Sequence, residues 1–163
     1  MKKVIIIGCP GSGKSTFARA LRDKTGLPLY PLDLLYWNPD RTTVTRELFR
    51  QRLDEILQQD TWILDGNYSA TMERRLEVCD TVFFFDLPVS DCLQGIAARK
   101  GKARPDLPWI EPIDEKDEEF LSFVRSYRES ARPAVLSLLE CHPEKQTVIF
   151  TSHEEADHYL NTL

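Results

Sequence analysis

Residues 8 to 15 read Gly-Cys-Pro-Gly-Ser-Gly-Lys-Ser, which puts three glycines, a lysine and two hydroxyls into one short stretch. Glycine accepts backbone conformations closed to residues with a Cβ. Gly8, Gly11 and Gly13 therefore let successive N–H groups turn inward and form an anion nest. A helix starting at Lys14 adds its own free first-turn donors and the positive end of its dipole. The spacing GxxxxGK[ST] is that of a P-loop (Walker A motif), in which Lys14 reaches the β- and γ-phosphates and the Ser15 hydroxyl ligates Mg²⁺. Pro10 and Ser12 complete the loop, and Thr16 is expected to donate to the α-phosphate. The implied chemistry is the gripping of a nucleoside triphosphate.

A phosphate loop needs a strand before it and a helix after it, and both are legible. Lys2 to Ile7 is an apolar, β-branched run that reads as a strand buried on both faces. Lys14 to Lys24 reads as a helix ended by Gly26 and Pro28. Further strands are expected at Leu29–Leu32, Trp62–Leu64, Thr81–Phe85 and Gln146–Phe150. Helices are expected over Thr43–Gln59, Ala70–Val78, Val89–Lys100 and His153–Leu160, with one long helix running to about Glu140 and bent at Pro133. Five strands alternating with helices predict an α/β domain spanning residues 1–163, its five-stranded parallel sheet covered on both faces. Ligands of such sheets sit beyond the carboxyl ends of the strands. Gly8, Asp33, Asp65, Asp86 and Thr151 all follow strand runs, so they are expected to converge on one crevice.

Composition bounds the alternatives. The chain has 163 residues, 42% hydrophobic and 29% charged, which suits one globular domain with a real core. No apolar run reaches the length of a membrane span. The opening MKKVIII is interrupted by the glycine loop where a signal peptide would continue, so the expected location is the cytoplasm. A net charge of −5 counts against broad electrostatic contact with DNA. Cys9, Cys79, Cys92 and Cys141 are too dispersed for a zinc site or disulfide framework and read as reduced, mostly buried thiols.

The layout resembles the small P-loop kinases, the group that contains adenylate, shikimate and gluconate kinases. Trp62-Ile-Leu-Asp-Gly66 resembles the end of the third strand in nucleoside monophosphate kinases. The stretches LPLYPLDLLYW (Leu27–Trp37), WILDGNY (Trp62–Tyr68) and RPDLPW (Arg104–Trp109) are similar to bacterial DNA topology modulation proteins, which are themselves adenylate kinase-like. The resemblance implies a nucleoside/shikimate kinase-like P-loop fold with a short lid at about residues 100–113. It implies that Asp33 contacts the acceptor and acts as general base toward a hydroxyl, where the bland reading is a helix N-cap. Asp65 is implied in the Mg²⁺ shell or on the substrate, against the plain reading of an Asp-Gly turn. Asn67 and Tyr68 are placed beside the acceptor. Arg99 matches a lid arginine, with Arg125 or Arg128 as a second clamp and Arg132 less favoured; arginines stabilise charge that develops on a transferring phosphoryl group.

Two departures narrow the acceptor. Nucleoside monophosphate kinases carry arginines where this chain has Tyr36 and Asn67-Tyr68, and arginine is the usual grip on an acceptor phosphate. Arg41, Arg46, Arg74 or Arg75 are the available substitutes. Tyr36 and Trp37 suit a flat or apolar acceptor, or equally core packing. By comparison with GTPases, the missing [NT]KxD motif points to ATP rather than GTP, and Thr151-Ser152 are expected to flank the purine. The reading is an ATP-dependent phosphotransferase, a kinase using Mg²⁺ and acting on a small molecule; the alternative is a nucleotide-binding regulator or weak ATPase linked to DNA topology.

Overall fold

The computed structural model describes the whole chain, Met1–Leu163. Strands β1 (Lys3–Gly8), β2 (Leu29–Pro31), β3 (Trp62–Asp65), β4 (Thr81–Phe85) and β5 (Gln146–Phe150) form one sheet in the order β2-β3-β1-β4-β5. Every pairing is parallel. β1 takes the centre because Val4-Ile5-Ile6-Ile7 offers apolar bulk to both faces. Val4 and Ile6 enter one core while Ile5 and Ile7 enter the other, as the two-residue period of a strand requires. Phe83 and Phe85 of β4 divide from Val82 and Phe84 in the same way.

Helices α1 (Lys14–Thr25), α5 (Val89–Arg99), α6 (Glu118–Arg125), α7 (Tyr127–Ser130) and α9 (His153–Asn161) supply the first core. Helices α2 (Leu32–Tyr36), α3 (Arg46–Leu57), α4 (Ser69–Val78) and α8 (Arg132–Glu140) cover the other face. Phe17 of α1 meets Phe83, Phe85 and Phe150 edge-on, with centroids 5.0, 5.3 and 5.3 Å away. Burial of such a ring contributes about 2–3 kcal/mol, and it pins the helix that follows the phosphate loop. No helix is long and apolar enough to cross a membrane.

Three elements differ from expectation. The long helix before Glu140 is three pieces, α6, α7 and α8, interrupted at Ser126 and Ala131. Pro133 stands in the first turn of α8, where its missing N–H costs nothing, so it opens a helix instead of bending one. The helix expected from Thr43 begins at Arg46, because Thr45 caps it by accepting the Leu48 N–H at 3.2 Å. β2 ends at Pro31 and runs directly into α2, which places Asp33 in a helical first turn capped by Pro31. Asp33 is therefore not itself the N-cap.

Candidate active site

The sheet brings the ends of β1 and β3 side by side, with Ile6 in register with Asp65. Gly8 leaves β1 at φ 147°, and a Cβ there would stand 2.5 Å from the Phe85 carbonyl oxygen. The loop then packs backbone to backbone on α5: a Cβ on Gly95 would lie 2.0 Å from the Gly11 carbonyl oxygen. Gly13 is the N-cap of α1 with no side chain capping it, so the first-turn N–H groups face the crevice. Lys14 donates to the Cys9 carbonyl at 3.1 Å. Burial lowers the pKa of its ammonium, and the Asp65 carboxylate opposes that shift.

Ser15 Oγ donates to Asp65 Oδ2 at 2.6 Å. Asp65 is buried, and its Oδ1 has no hydrogen-bond partner. Desolvation raises this carboxyl to about 6, against the pull of Lys14 and of the Ser15 hydroxyl. A hydroxyl and a buried carboxylate oxygen in want of a partner are the hard oxygen donors that suit Mg²⁺. No group of three or more His, Cys, Asp or Glu residues gathers to hold a metal, so a cation on this pair would take its remaining ligands from phosphate and water.

Across the crevice from the glycine loop, Tyr68 Oη donates to Asp33 Oδ1 at 2.5 Å. Tyr68 sits at φ 39°, a left-handed conformation that a non-glycine residue adopts only when its surroundings enforce it. Arg75 does the enforcing. It is completely buried and donates to Thr71 Oγ1 at 3.1 Å, to the Gly66 carbonyl at 3.0 Å, and to the carbonyls of Asn67 and Tyr68. Burial without a carboxylate partner lowers its pKa to about 10. Between them, the Asn67 amide clamps the phosphate loop, accepting the Gly8 N–H at 3.0 Å and donating to the Gly8 carbonyl at 2.7 Å. Asn67 thus braces the loop in addition to lining the crevice, and Arg75 is a brace and not a grip on an acceptor.

The stretch after α5 folds over the crevice. Gly101 N–H donates to the Glu111 carbonyl at 2.6 Å, closing the segment into a loop. Arg104 bridges Glu111 at 2.7 Å and Asp106 at 3.1 Å, and the buried Asp106 also holds Arg19 of α1 at 2.7 Å. Arg99 lies 3.1 Å from Glu111. Burial lowers the pKa of its guanidinium, and Glu111 opposes this. Arg104 and Asp106 lie in the RPDLPW stretch, which carries the family resemblance but assigned neither of them a role.

Other expected site residues are elsewhere. Arg125 is exposed and pairs with Glu118 at 3.7 Å, and Arg128 is exposed; neither lines the crevice. Arg104 lines it beside Arg99. Arg132 holds Asp86 through two hydrogen bonds of 2.8 Å, which removes both from the crevice. Thr151 is engaged by Glu155, and His153, Ala156, Asp157 and Leu160 of α9, not Thr151-Ser152, line the hollow beside the glycine loop. His153 Nε2 lies 3.1 Å from the Ser12 carbonyl. Of the remaining arginines, Arg74 pairs with Asp54 at 2.7 Å on the surface and Arg46 lies on a separate hollow. Tyr36 packs against Phe49 and Tyr68. Cys9, Cys79 and Cys92 are buried and free, and Cys141 is exposed and free.

Three hollows share wall residues here. One of about 480 Å³ runs from Gly11–Phe17 along α9. A second of about 390 Å³ lies between α2 and the folded-over stretch and includes Asp33, Trp37 and Trp109. The third, about 240 Å³, connects Lys14, Ser15 and Asp65 to Asp33. Arg99 and Arg104 line all three.

No protein-family model matches this chain, and neither does any curated protein sequence. Solved structures do. A shikimate kinase from Bacteroides thetaiotaomicron superposes over 98% of this chain and 94% of its own, with a TM-score of 0.64 and 18% identity. A shikimate kinase from Acinetobacter baumannii, in complex with shikimate, covers 99% of this chain and 92% of its own, with a TM-score of 0.65 and 18% identity. The fold is accordingly that of a shikimate kinase-like P-loop protein. Both neighbours are shikimate kinases, not topology modulation proteins.

Proposed function

We propose that this protein is an ATP-dependent kinase that passes the γ-phosphoryl group of Mg-ATP to the hydroxyl of a small molecule. The observation that carries the reading is a shared hollow: Lys14 and Ser15 of the phosphate loop line the same space as Asp33. The nucleotide lies along α9 with its phosphates on Lys14, Ser15, Thr16 and the free N–H groups of α1. Ser15 and Asp65 would hold Mg²⁺, which neutralises charge on the β- and γ-phosphates when bound.

Asp33 Oδ2 accepts the proton of the acceptor hydroxyl while Tyr68 holds the other carboxylate oxygen. The acceptor oxygen bonds to the γ-phosphorus and the bond from that phosphorus to the β,γ-bridging oxygen breaks, leaving ADP. Arg99 and Arg104 stabilise charge on the transferring group, which is the main demand of such a reaction. Both neighbours being kinases supports this reading. It is tested by acceptor-stimulated ADP release across a metabolite panel, with Lys14→Ala as the site control: turnover should disappear in the variant, and turnover retained there sinks the assignment.

A further inference from the structure

We infer that the acceptor is an uncharged, ring-bearing alcohol, not a phosphomonoester or a carboxylic acid. The inference rests on the kinase reading for its word "acceptor", but the pocket chemistry that carries it is independent. The hollow beside Asp33 has four basic and four acidic lining residues (Arg41, Arg99, Lys100 and Arg104 against Asp33, Glu111, Glu115 and Asp117). Three of the basic groups, Arg41, Lys100 and Arg104, are tied by hydrogen bonds within the hollow's wall, and the fourth, Arg99, stands in an ion pair. Arg41 grips both oxygens of Glu115 at 2.9 and 3.0 Å. Arg104 bridges Glu111 and Asp106, and the Lys100 ammonium donates to the Glu115 carbonyl. Arg99 lies 3.1 Å from Glu111 with its buried Nε unpartnered, but it and Arg104 also border Lys14 and Ser15, where the proposed reaction turns them to the transferring phosphoryl group and not to the acceptor.

An anionic acceptor would have to expel a carboxylate from its arginine and then sit beside that carboxylate and Asp33. Such an unpaired, crowded charge is how a site rejects a ligand. The remaining wall is apolar and flat. Trp37 and Trp109 meet edge to face with centroids 5.3 Å apart, and Leu107 and Phe120 continue the surface. Arg41 lies 5.4 Å over the Trp109 ring, so its charge is spent on the aromatic face as well as on Glu115. The one carboxylate in this hollow that forms no ion pair and makes no backbone cap is Asp33, which also borders the space leading to the phosphate loop. A hydroxyl belongs there, with a ring against the tryptophans. At about 390 Å³ the hollow is at the small end of ligand pockets, which suits one or two rings.

The test separates binding from transfer. Trp62 is fully buried, so quenching of tryptophan fluorescence reports Trp37 and Trp109. The whole protein, saturated with Mg-ADP, is titrated with thymidine, adenosine and benzyl alcohol, and with thymidine monophosphate, AMP and shikimate. At least one neutral alcohol should bind tenfold or more tightly than the anionic members. In Glu115→Gln, which frees Arg41, the ratio of anion to neutral affinity should rise about tenfold. An anion binding as tightly as the best neutral alcohol, or no neutral alcohol binding at all, overturns the inference. ADP release is measured in parallel: a neutral alcohol that binds without stimulating release upholds the pocket assignment and refutes the kinase reading instead.

Discussion

Gly95→Ala tests whether the phosphate loop is shaped by the helix behind it. A Cβ on Gly95 would lie 2.0 Å from the Gly11 carbonyl oxygen and 3.0 Å from its carbon. Ordinary contact begins near 3.4 Å, so the surfaces must part by about 1.4 Å, the difference between 3.4 and 2.0. Both partners are backbone, so no side-chain rotation relieves the clash. α5 is held by Cys92 and Ile96, buried in the first core, so the loop is the side that yields. A shift of about 1 Å at a catalytic centre costs about 100-fold in rate. Stability changes less, because overpacking costs about 1–3 kcal/mol while alanine in a helix returns up to about 1 kcal/mol. Calorimetric titration with Mg-ATP should show affinity at least tenfold weaker, with the melting temperature down by only a few degrees. Gly26→Ala is the matched control: nothing lies within 4 Å of its Cβ, but its φ is 75°. It should lose about 1 kcal/mol of stability from the left-handed conformation and keep its ATP affinity. A Gly95→Ala protein that binds Mg-ATP like the parent refutes the reasoning.

Asp33→Asn should lower kcat by about 10²- to 10⁴-fold with ATP affinity intact, and Tyr68→Phe by less, since it removes only the second contact on that carboxylate; steady-state kinetics decide, and equal losses of ATP binding would refute the base assignment. Asp65→Asn should raise stability at neutral pH in metal-free protein. The carboxyl, raised from 3.8 to about 6 by burial, is ionised at pH 7 at a cost of about 3 kcal/mol, from about two units at ~1.4 kcal/mol each. Below pH 3.8 folded and unfolded forms are both protonated and the difference vanishes, so the gain must grow between pH 4 and 6 in urea titrations. A gain independent of pH would remove its cause. Arg75→Met should lower stability by about 2–4 kcal/mol in chemical denaturation, since three backbone carbonyls lose their donor while the buried charge is relieved. A protein as stable as the parent would contradict the bracing role.

What the sequence discloses tracks how local each cause is. The central strand is legible because four adjacent β-branched residues serve both faces. The phosphate loop is legible because its donors come from consecutive residues. The broken helix before Glu140 was not, since the break is set by tertiary packing of Val124 and Tyr127 into one core and Val135 and Leu138 into the other. The chain crosses between faces there, and no single helical period does that. Arg125 and Arg128 stand outside the crevice for a related reason. A helical arginine points where its helix is rotated, and the rotation is fixed by the apolar residues around it. Arg104 and Asp106 lie in a stretch without regular structure, where the pairing of Asp106 with Arg19, 87 residues away, and of Arg104 with Glu111, 7 residues away, sets their position.

Arg75 shows the limit of motif reading most sharply. Its partners are carbonyl oxygens of Gly66, Asn67 and Tyr68, which every residue type possesses, so no pairing of residue letters announces the contact. Yet that cation fixes the turn from which Asn67 clamps Gly8 and Tyr68 reaches Asp33. A carboxylate partner would neutralise it locally but satisfy only itself. Carbonyls divide its donors among three consecutive residues and so specify the path of the chain. The desolvation of an unpaired guanidinium is the cost of that specification, and what it secures is a fixed distance between the glycine-rich loop and the Asp33 carboxylate.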